Sequence, residues 1–147
     1  MSRRLRAFFL LLARKARKGG SAASGRNTGA NGRLPASALS SIGGGHRLVK
    51  FVAGAYLAMK SAAARAGVSW GVTDSYRSYA AQLSVARRKG LYSKGGLAAV
   101  PGTSNHGWGR AVDLALNSRA YNWLRANAAR FGFRSIPREK WHWEYRR

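Results

Sequence analysis

Apolar residues recur at helical spacing through "HRLVKFVAGAYLAMKSAAARAG". Leu48, Phe51, Val52, Ala55, Tyr56 and Met59 fall on one face, and Gly67 supplies a C-terminal stop, which together predict a core helix. "VSWGVT" instead alternates Val68, Trp70 and Val72 with small or polar residues, the period-two pattern of a half-buried strand. Ser78 stands where an N-cap is needed for a second helix running through "YAAQLSVARRK" to Gly90. After a glycine-rich loop, "RAVDLAL" reads as a strand, "SRAYNWLRANAARFG" as a helix ending at Gly132, and "KWHWEY" beyond Pro137 as a final strand. Helices and short strands mixed in this way predict an α+β domain, with a small, largely antiparallel sheet and flanking helices.

The pattern changes towards the N-terminus. In "MSRRLRAFFLLLARKARKGG" the apolar stretch from Ala7 to Ala13 is far shorter than the roughly 20 residues that span a bilayer, so it is not a transmembrane helix. A basic start before a short apolar stretch has the look of a signal peptide, but the basic run that follows and the lack of a prompt small-residue cleavage site argue against that reading. Leu5, Phe8, Phe9 and Leu12 share one helical face with Arg and Lys over most of the rest. Such a face suits an interfacial helix on anionic lipid, or equally a solvated basic tail resting on its own domain. "GGSAASGRNTGANG" has the Gly, Ser and Asn content of a flexible linker. The expected organisation is therefore a basic amphipathic segment over 1–18, a linker over 19–32 and a folded domain over 33–147.

Composition narrows the picture. The 147 residues suffice for one small domain with a core, and the hydrophobic share of 46% argues for folding despite a net charge of +23. That charge implies an anionic partner, and nucleic acid, acidic lipid and anionic wall polymers would all serve. The chain has no Cys, so disulfides, thiolate ligands and a cysteine nucleophile are excluded, and any metal must be held by His, Asp or Glu.

Against 27 Lys and Arg there are four acidic residues, and one of them, Asp113, lies in an apolar strand segment. An unpaired carboxylate there would cost several kcal/mol, so a partner is expected. His106 lies seven residues upstream, and a second cluster, "EKWHWEY", places Glu139 three residues before His142. His106, Asp113 and His142 together offer two imidazoles and one carboxylate, a set that suits zinc and leaves a fourth coordination position for water. Glu139 is the candidate base for that water's proton. The third histidine, His46, has no acidic neighbour in sequence and reads as structural or solvent-exposed. Asp74 is either a strand-end cap or a partner that orients Arg77, and Glu144 either an acceptor that orients His142 or, the reading favoured here, a surface partner for a neighbouring Arg. The glycine run Gly43 to Gly45 lacks a following lysine and is no phosphate loop.

The residues around these candidates carry a resemblance. "SNHGWGRAVD" fits Ser-x-His-x-x-Gly-x-Ala-x-Asp and "EKWHWEY" fits Glu-x-Trp-His-x-x-Tyr. Both resemble the zinc D-Ala-D-Ala carboxypeptidases and endopeptidases of the VanY and LAS type, peptidase family M15, as does "DSYRSYAAQ" upstream. The resemblance implies that His106, Asp113 and His142 are the zinc ligands and that Glu139 is the general base and later proton donor to the leaving amine. It implies that Arg77 binds a substrate carboxylate or polarises the scissile carbonyl, and that Ser104, and more weakly Gln82, contact the substrate peptide. Trp141 and Trp143 are expected to pack on the opposite strand face and hold His142 in place. Lys140, where many relatives carry Pro, and Arg110, near the Asp ligand, depart from the pattern without removing a catalytic atom.

The expected function is thus zinc-dependent hydrolysis of amide bonds in peptidoglycan stem peptides by a monomer acting on the cell wall, as a carboxypeptidase or as an endopeptidase of the phage endolysin type released from a host cytoplasm. Anionic wall polymers or a membrane surface would be engaged through the basic N-terminus, with no specific nucleic acid. The rival reading is a non-enzymatic cationic protein that binds nucleic acid or membranes. It predicts salt-sensitive DNA binding and no stoichiometric zinc, and it leaves the clustering of acids around the histidines without a reason.

Overall fold

The computed structural model describes residues 30–147. The expected amphipathic segment and most of the expected linker lie outside the described residues. A hairpin of β1 (Leu39–Gly43) and β2 (His46–Val49) leads into helix α1 (Lys50–Arg65). Strand β3 (Gly71–Asp74), helix α2 (Tyr79–Lys89), strand β4 (Ala111–Ala115), helix α3 (Ser118–Asn127), and strands β5 (Phe133–Ile136) and β6 (Glu139–Tyr145) follow. The second sheet has the order β3-β4-β6-β5 and every pair in it is antiparallel. No described helix is long and apolar enough to cross a membrane.

The expected α+β architecture is present, with differences that have local causes. The first helix begins at Lys50, because Leu48 and its neighbours are taken into the hairpin, whose turn uses Gly43, Gly44 and Gly45 all at positive φ. Leu39, Ile42 and Leu48 are buried by that hairpin. Of the predicted helix face, Val52, Tyr56 and Met59 are buried while Phe51 is largely exposed, with its ring edge against Tyr145. Strand β5 has no sequence alternation of its own to announce it; pairing with β6 makes it a strand. Caps fall as expected: the Ser78 hydroxyl accepts from Ala81 N, and Gly132 ends the 3-10 turn after α3 at φ 89.

Period-two alternation divides the larger sheet into two faces. Val112, Leu114 and Trp143 join Val52, Tyr56, Met59, Leu124 and Phe133 in one core, each large side chain contributing about 1.5–3 kcal/mol. Asp113, His142 and Glu144 therefore face the other way, towards the loops. The last residues of the expected linker pack against the folded domain. Asn31 is fully buried, donating to the Ser104 carbonyl (2.8 Å) and accepting from Gln82 (2.9 Å), and Gly32 bonds to the backbones of Gly107 and Tyr79. A Cβ on Gly107 would overlap the Asn31–Gln82 pair, so these four residues lock the N-terminal edge to the loop that carries His106.

Candidate metal centre and cleft

Asp113 on β4 and His142 on β6 are direct cross-strand partners. Their side chains therefore meet on one face without any loop having to place them. His106 comes from the turn before β4, which is closed by backbone bonds from Gly107 to Ser104, Gly109 to His106 and Arg110 to Asn105, and tied to α2's approach by Arg77 N to His106 O (3.0 Å). The three side chains are buried and offer ligand atoms that lie within 4.8 Å of one another. His106 Nε2 is 3.2 Å from Asp113 Oδ1 and 3.2 Å from His142 Nδ1, and His142 Nδ1 is 2.8 Å from Asp113 Oδ1.

The outer partners of each ring fix its inner chemistry. His106 Nδ1 lies 2.7 Å from the Ser75 carbonyl oxygen, which can only accept, so that nitrogen carries the proton and Nε2 presents a lone pair. His142 Nε2 lies 2.9 Å from the Glu144 carboxylate, so Nδ1 of the neutral ring also presents a lone pair. Two imidazole lone pairs and a carboxylate oxygen thus face a common point. Such an arrangement is stable only around a cation or a proton. Tetrahedral ligands about 2.0–2.1 Å from zinc stand roughly 3.3 Å apart, close to the separations observed here. The donor set and its geometry therefore fit zinc.

Protons and metal compete for this point. Burial opposes charge on His142, but hydrogen bonds and charge from Asp113 and Glu144 outweigh it and push the ring's pKa up to about 9. Burial likewise opposes charge on Asp113, yet the two histidines hold its carboxyl well below the usual carboxylate range. A group with a raised folded pKa holds its proton until the pH passes that value, so at neutral pH a metal must displace the His142 proton. Zinc affinity is expected to rise with pH, by about tenfold per unit below pH 9, and to level above it. Calorimetry in buffers of different ionisation enthalpy should detect the released proton; a pH-independent affinity between 6.5 and 9 would contradict the assignment.

The triad forms the floor of a cleft of about 190 Å³ lined also by Arg77, Tyr92, Ser104, Asn105, Glu139 and Trp141. Glu139 is buried, with Oε2 4.0 Å from His142 Nδ1. Residues three apart on a regular strand point to opposite faces. Here Ile136 pairs with Glu139 and Ser135 with Trp143, so β6 advances four residues while β5 advances one, and this irregularity brings Glu139 and His142 to the same face. Asp74 performs both of the roles that sequence left open: Oδ1 accepts from Ser75 N (2.8 Å), and Oδ2 holds Arg77 through Nε (3.0 Å) and Nη2. Glu144 likewise does both, accepting from His142 and from Arg146 Nε (2.7 Å). Its carboxyl is consequently lowered to about 2, hydrogen bonds from His142, Asn105 and Arg146 overcoming the opposing effect of burial. In a chain of net charge +23, all four acidic residues stand at this one site.

Two expected placements are corrected. Gln82 is buried and does not line the cleft; its amide donates to Asn31 and its carbonyl accepts from Gly102 N (2.7 Å), so it braces the loops around the site. Trp143 packs in the core as expected, but Trp141 is exposed on the cleft rim. Ser104 does line the cleft, its hydroxyl accepting from His106 N (3.2 Å). His46 bonds the Ser75 hydroxyl (3.1 Å) and stays outside the cleft, and Lys140 points its amine over the Tyr121 ring. Sequence reasoning missed Ser75, which orients His106 through its backbone carbonyl and so leaves no side-chain signal, and Tyr92, which hydrogen-bonds Glu139 from 47 residues away.

Solved structures share this fold. A mutant of the vancomycin-resistance D,D-pentapeptidase VanY from a VanB-type cassette, in complex with Zn(II), is 28% identical over 76% of this chain and 82% of its own, with a TM-score of 0.62. VanYB in complex with D-alanine-D-alanine matches over 76% of this chain and 80% of its own, at 28% identity and a TM-score of 0.63. The LD-carboxypeptidase LdcB, at 24% identity over 78% of this chain and 70% of its own with a TM-score of 0.61, shows the same fold. No curated protein matches the sequence significantly. The model of the VanY family, D-alanyl-D-alanine carboxypeptidase, matches residues 45–147, which include all three candidate ligands, the candidate base and Arg77. The chain therefore belongs to the VanY D-alanyl-D-alanine carboxypeptidase family.

Proposed function

We propose that the protein is a zinc D,D-carboxypeptidase that removes the terminal D-alanine from peptidoglycan stem peptides at the cell wall. The observation that carries this reading is the convergence of two imidazole lone pairs and one carboxylate beside a restrained guanidinium in a single small cleft. His106, Asp113 and His142 would hold the metal, which when bound supplies Lewis acidity towards a carbonyl and acidifies water. Glu139, one carboxylate width from the ligands, takes the proton of the attacking water and delivers it to the departing amine. Arg77 commits two of its three guanidinium nitrogens to Asp74 and is thereby held at the cleft wall, where it receives the substrate's terminal carboxylate. Ser104 offers its hydroxyl to the peptide backbone, and Gln82 keeps the loops in place. A cleft of about 190 Å³ lies below the roughly 300 Å³ typical of drug-sized ligands and suits the end of a dipeptide better than a branched cross-link. All of these groups come from one chain, so a monomer suffices.

The basic N-terminal segment is proposed as an accessory that concentrates the enzyme on anionic wall polymers or membrane lipid, through charge that salt screens. Purified peptidoglycan digested with the enzyme, with the fragments identified by mass spectrometry, tests the reading. Free D-alanine and stem peptides one residue shorter are expected; an internal cut would reassign the bond, and no products at all would remove the peptidase reading. The same assay on whole walls, with residues 1–29 deleted so that buried Asn31 is kept, should show weaker wall retention and unchanged cleavage of a soluble peptide.

A further inference from the structure

The loop between α2 and the His106 turn carries Tyr92 into the cleft beside Glu139. Its phenolic hydroxyl donates to Glu139 Oε1, the only hydrogen bond made to that carboxylate among the described residues. The other oxygen, Oε2, faces His142 Nδ1 at 4.0 Å. A buried carboxylate with one oxygen tethered has lost most of its torsional freedom, and the tether decides which oxygen is left for the metal side.

The base of the loop is built to keep Tyr92 where it is. Tyr92 N bonds Ala98 O (2.8 Å), Ala98 N bonds Gly90 O (2.9 Å), Gly96 N bonds Leu91 O (2.8 Å), and Leu97 N bonds Lys89 O (3.2 Å). Gly90 and Gly96 approach so closely that a Cβ on Gly96 would overlap the Gly90 carbonyl. The far end is pinned by Gly102 N to the buried Gln82 side chain. Burial first, then the hydrogen bond to Glu139 and the charges of Glu139, Asp113 and Glu144, push the phenol's pKa well above its ordinary value. The hydroxyl therefore remains a donor throughout the neutral range.

We propose that Tyr92 is a positioning residue for hydrolysis, tethering Oε1 of Glu139 so that Oε2 is aimed at the metal-binding point. The proposal rests on the reading of Glu139 as the base. It differs from a substrate-contact role, in which the exposed ring would bind the peptide directly, and from a purely structural role, in which the hydroxyl would matter to stability alone.

Tyr92→Phe removes one oxygen from a partly exposed ring and leaves the loop's backbone bonds intact, so folding is expected to survive. It should lower kcat roughly 10- to 100-fold with KM nearly unchanged, the size expected when a proton-transfer group is retained but misaimed. Zinc affinity, read by competition with a chelating indicator, should stay the same. On a Glu139→Ala background, calorimetry should give the same Kd for D-Ala-D-Ala with and without Tyr92→Phe. A crystal structure of zinc-loaded Tyr92→Phe should show the Glu139 carboxylate rotated or split over two orientations. Wild-type kcat in the variant, a loss confined to KM, weaker dipeptide binding on the Glu139→Ala background, or a single unshifted Glu139 conformer would each overturn the proposal. A wild-type protein that binds zinc but cleaves no stem peptide would overturn the functional reading instead, while the crystal structure still decides the tether.

Discussion

Glu139→Ala is expected to keep stoichiometric zinc and to lose on the order of a thousandfold or more in kcat. The two halves of that expectation come from separate parts of the geometry. Zinc retention follows because the converging lone pairs belong to His106, Asp113 and His142, and each is oriented by a partner other than Glu139: the Ser75 carbonyl for His106, Glu144 for His142 and the β4–β6 register for Asp113. Loss of turnover follows because general acid–base catalysis contributes about 10²–10⁴-fold and the proposed role assigns both proton transfers to Glu139. Among the described residues, the other carboxylates at the site are engaged: Asp113 by the two histidines, Glu144 by His142 and Arg146, and Asp74 by Arg77. None is free to substitute. Elemental analysis and steady-state kinetics on the same preparation check both halves, and a variant that loses its metal along with its activity would move Glu139 into the ligand set.

Asp113→Ala is expected to abolish zinc binding and activity together. The carboxylate is the anionic member of the triad, and without it two neutral imidazoles remain, too few to hold the ion against dialysis. Heat denaturation gives a readout independent of turnover. Zinc at a thousandfold excess over Kd stabilises a folded protein by about 4 kcal/mol, so wild-type Tm should climb by many degrees on zinc addition. The Asp113→Ala midpoint should not respond to zinc. A zinc-dependent rise in Tm that survives the substitution would place the metal elsewhere.

How far the site is legible in sequence depends on the kind of contact. Asp113 attracts notice because a lone carboxylate in an apolar strand is costly, and the structure supplies the two histidines that relieve the cost. The family pattern names the same residues, and Arg77 lines the cleft. Gln82 shows the limit. A polar side chain in a motif reads as a substrate contact, but its buried amide is spent on Asn31 and Gly102, partners 51 and 20 residues away that no local pattern connects to it. Glu144 shows the same limit in reverse: its spacing is compatible with orienting His142 or with pairing an Arg, and the fold lets it do both.

What the sequence determined by itself is the alternation that turns Val112, Leu114 and Trp143 inward, the helical face of Val52, Tyr56 and Met59, the caps at Ser78 and Gly132, and the donor chemistry of the three candidate ligands. Each of these is set by neighbours within a few residues, so the chain states it directly. Tertiary structure alone decided that Asp113 sits opposite His142, that an irregularity in β6 pairing turns Glu139 onto the same face, and that Tyr92 reaches its carboxylate. The Asp113–His142 and Tyr92–Glu139 contacts join residues 29 and 47 positions apart, and the β5–β6 irregularity, though closer in sequence, depends on how the whole sheet pairs, so the energy that fixes them is spread over the core and hydrogen-bond network rather than written at either end.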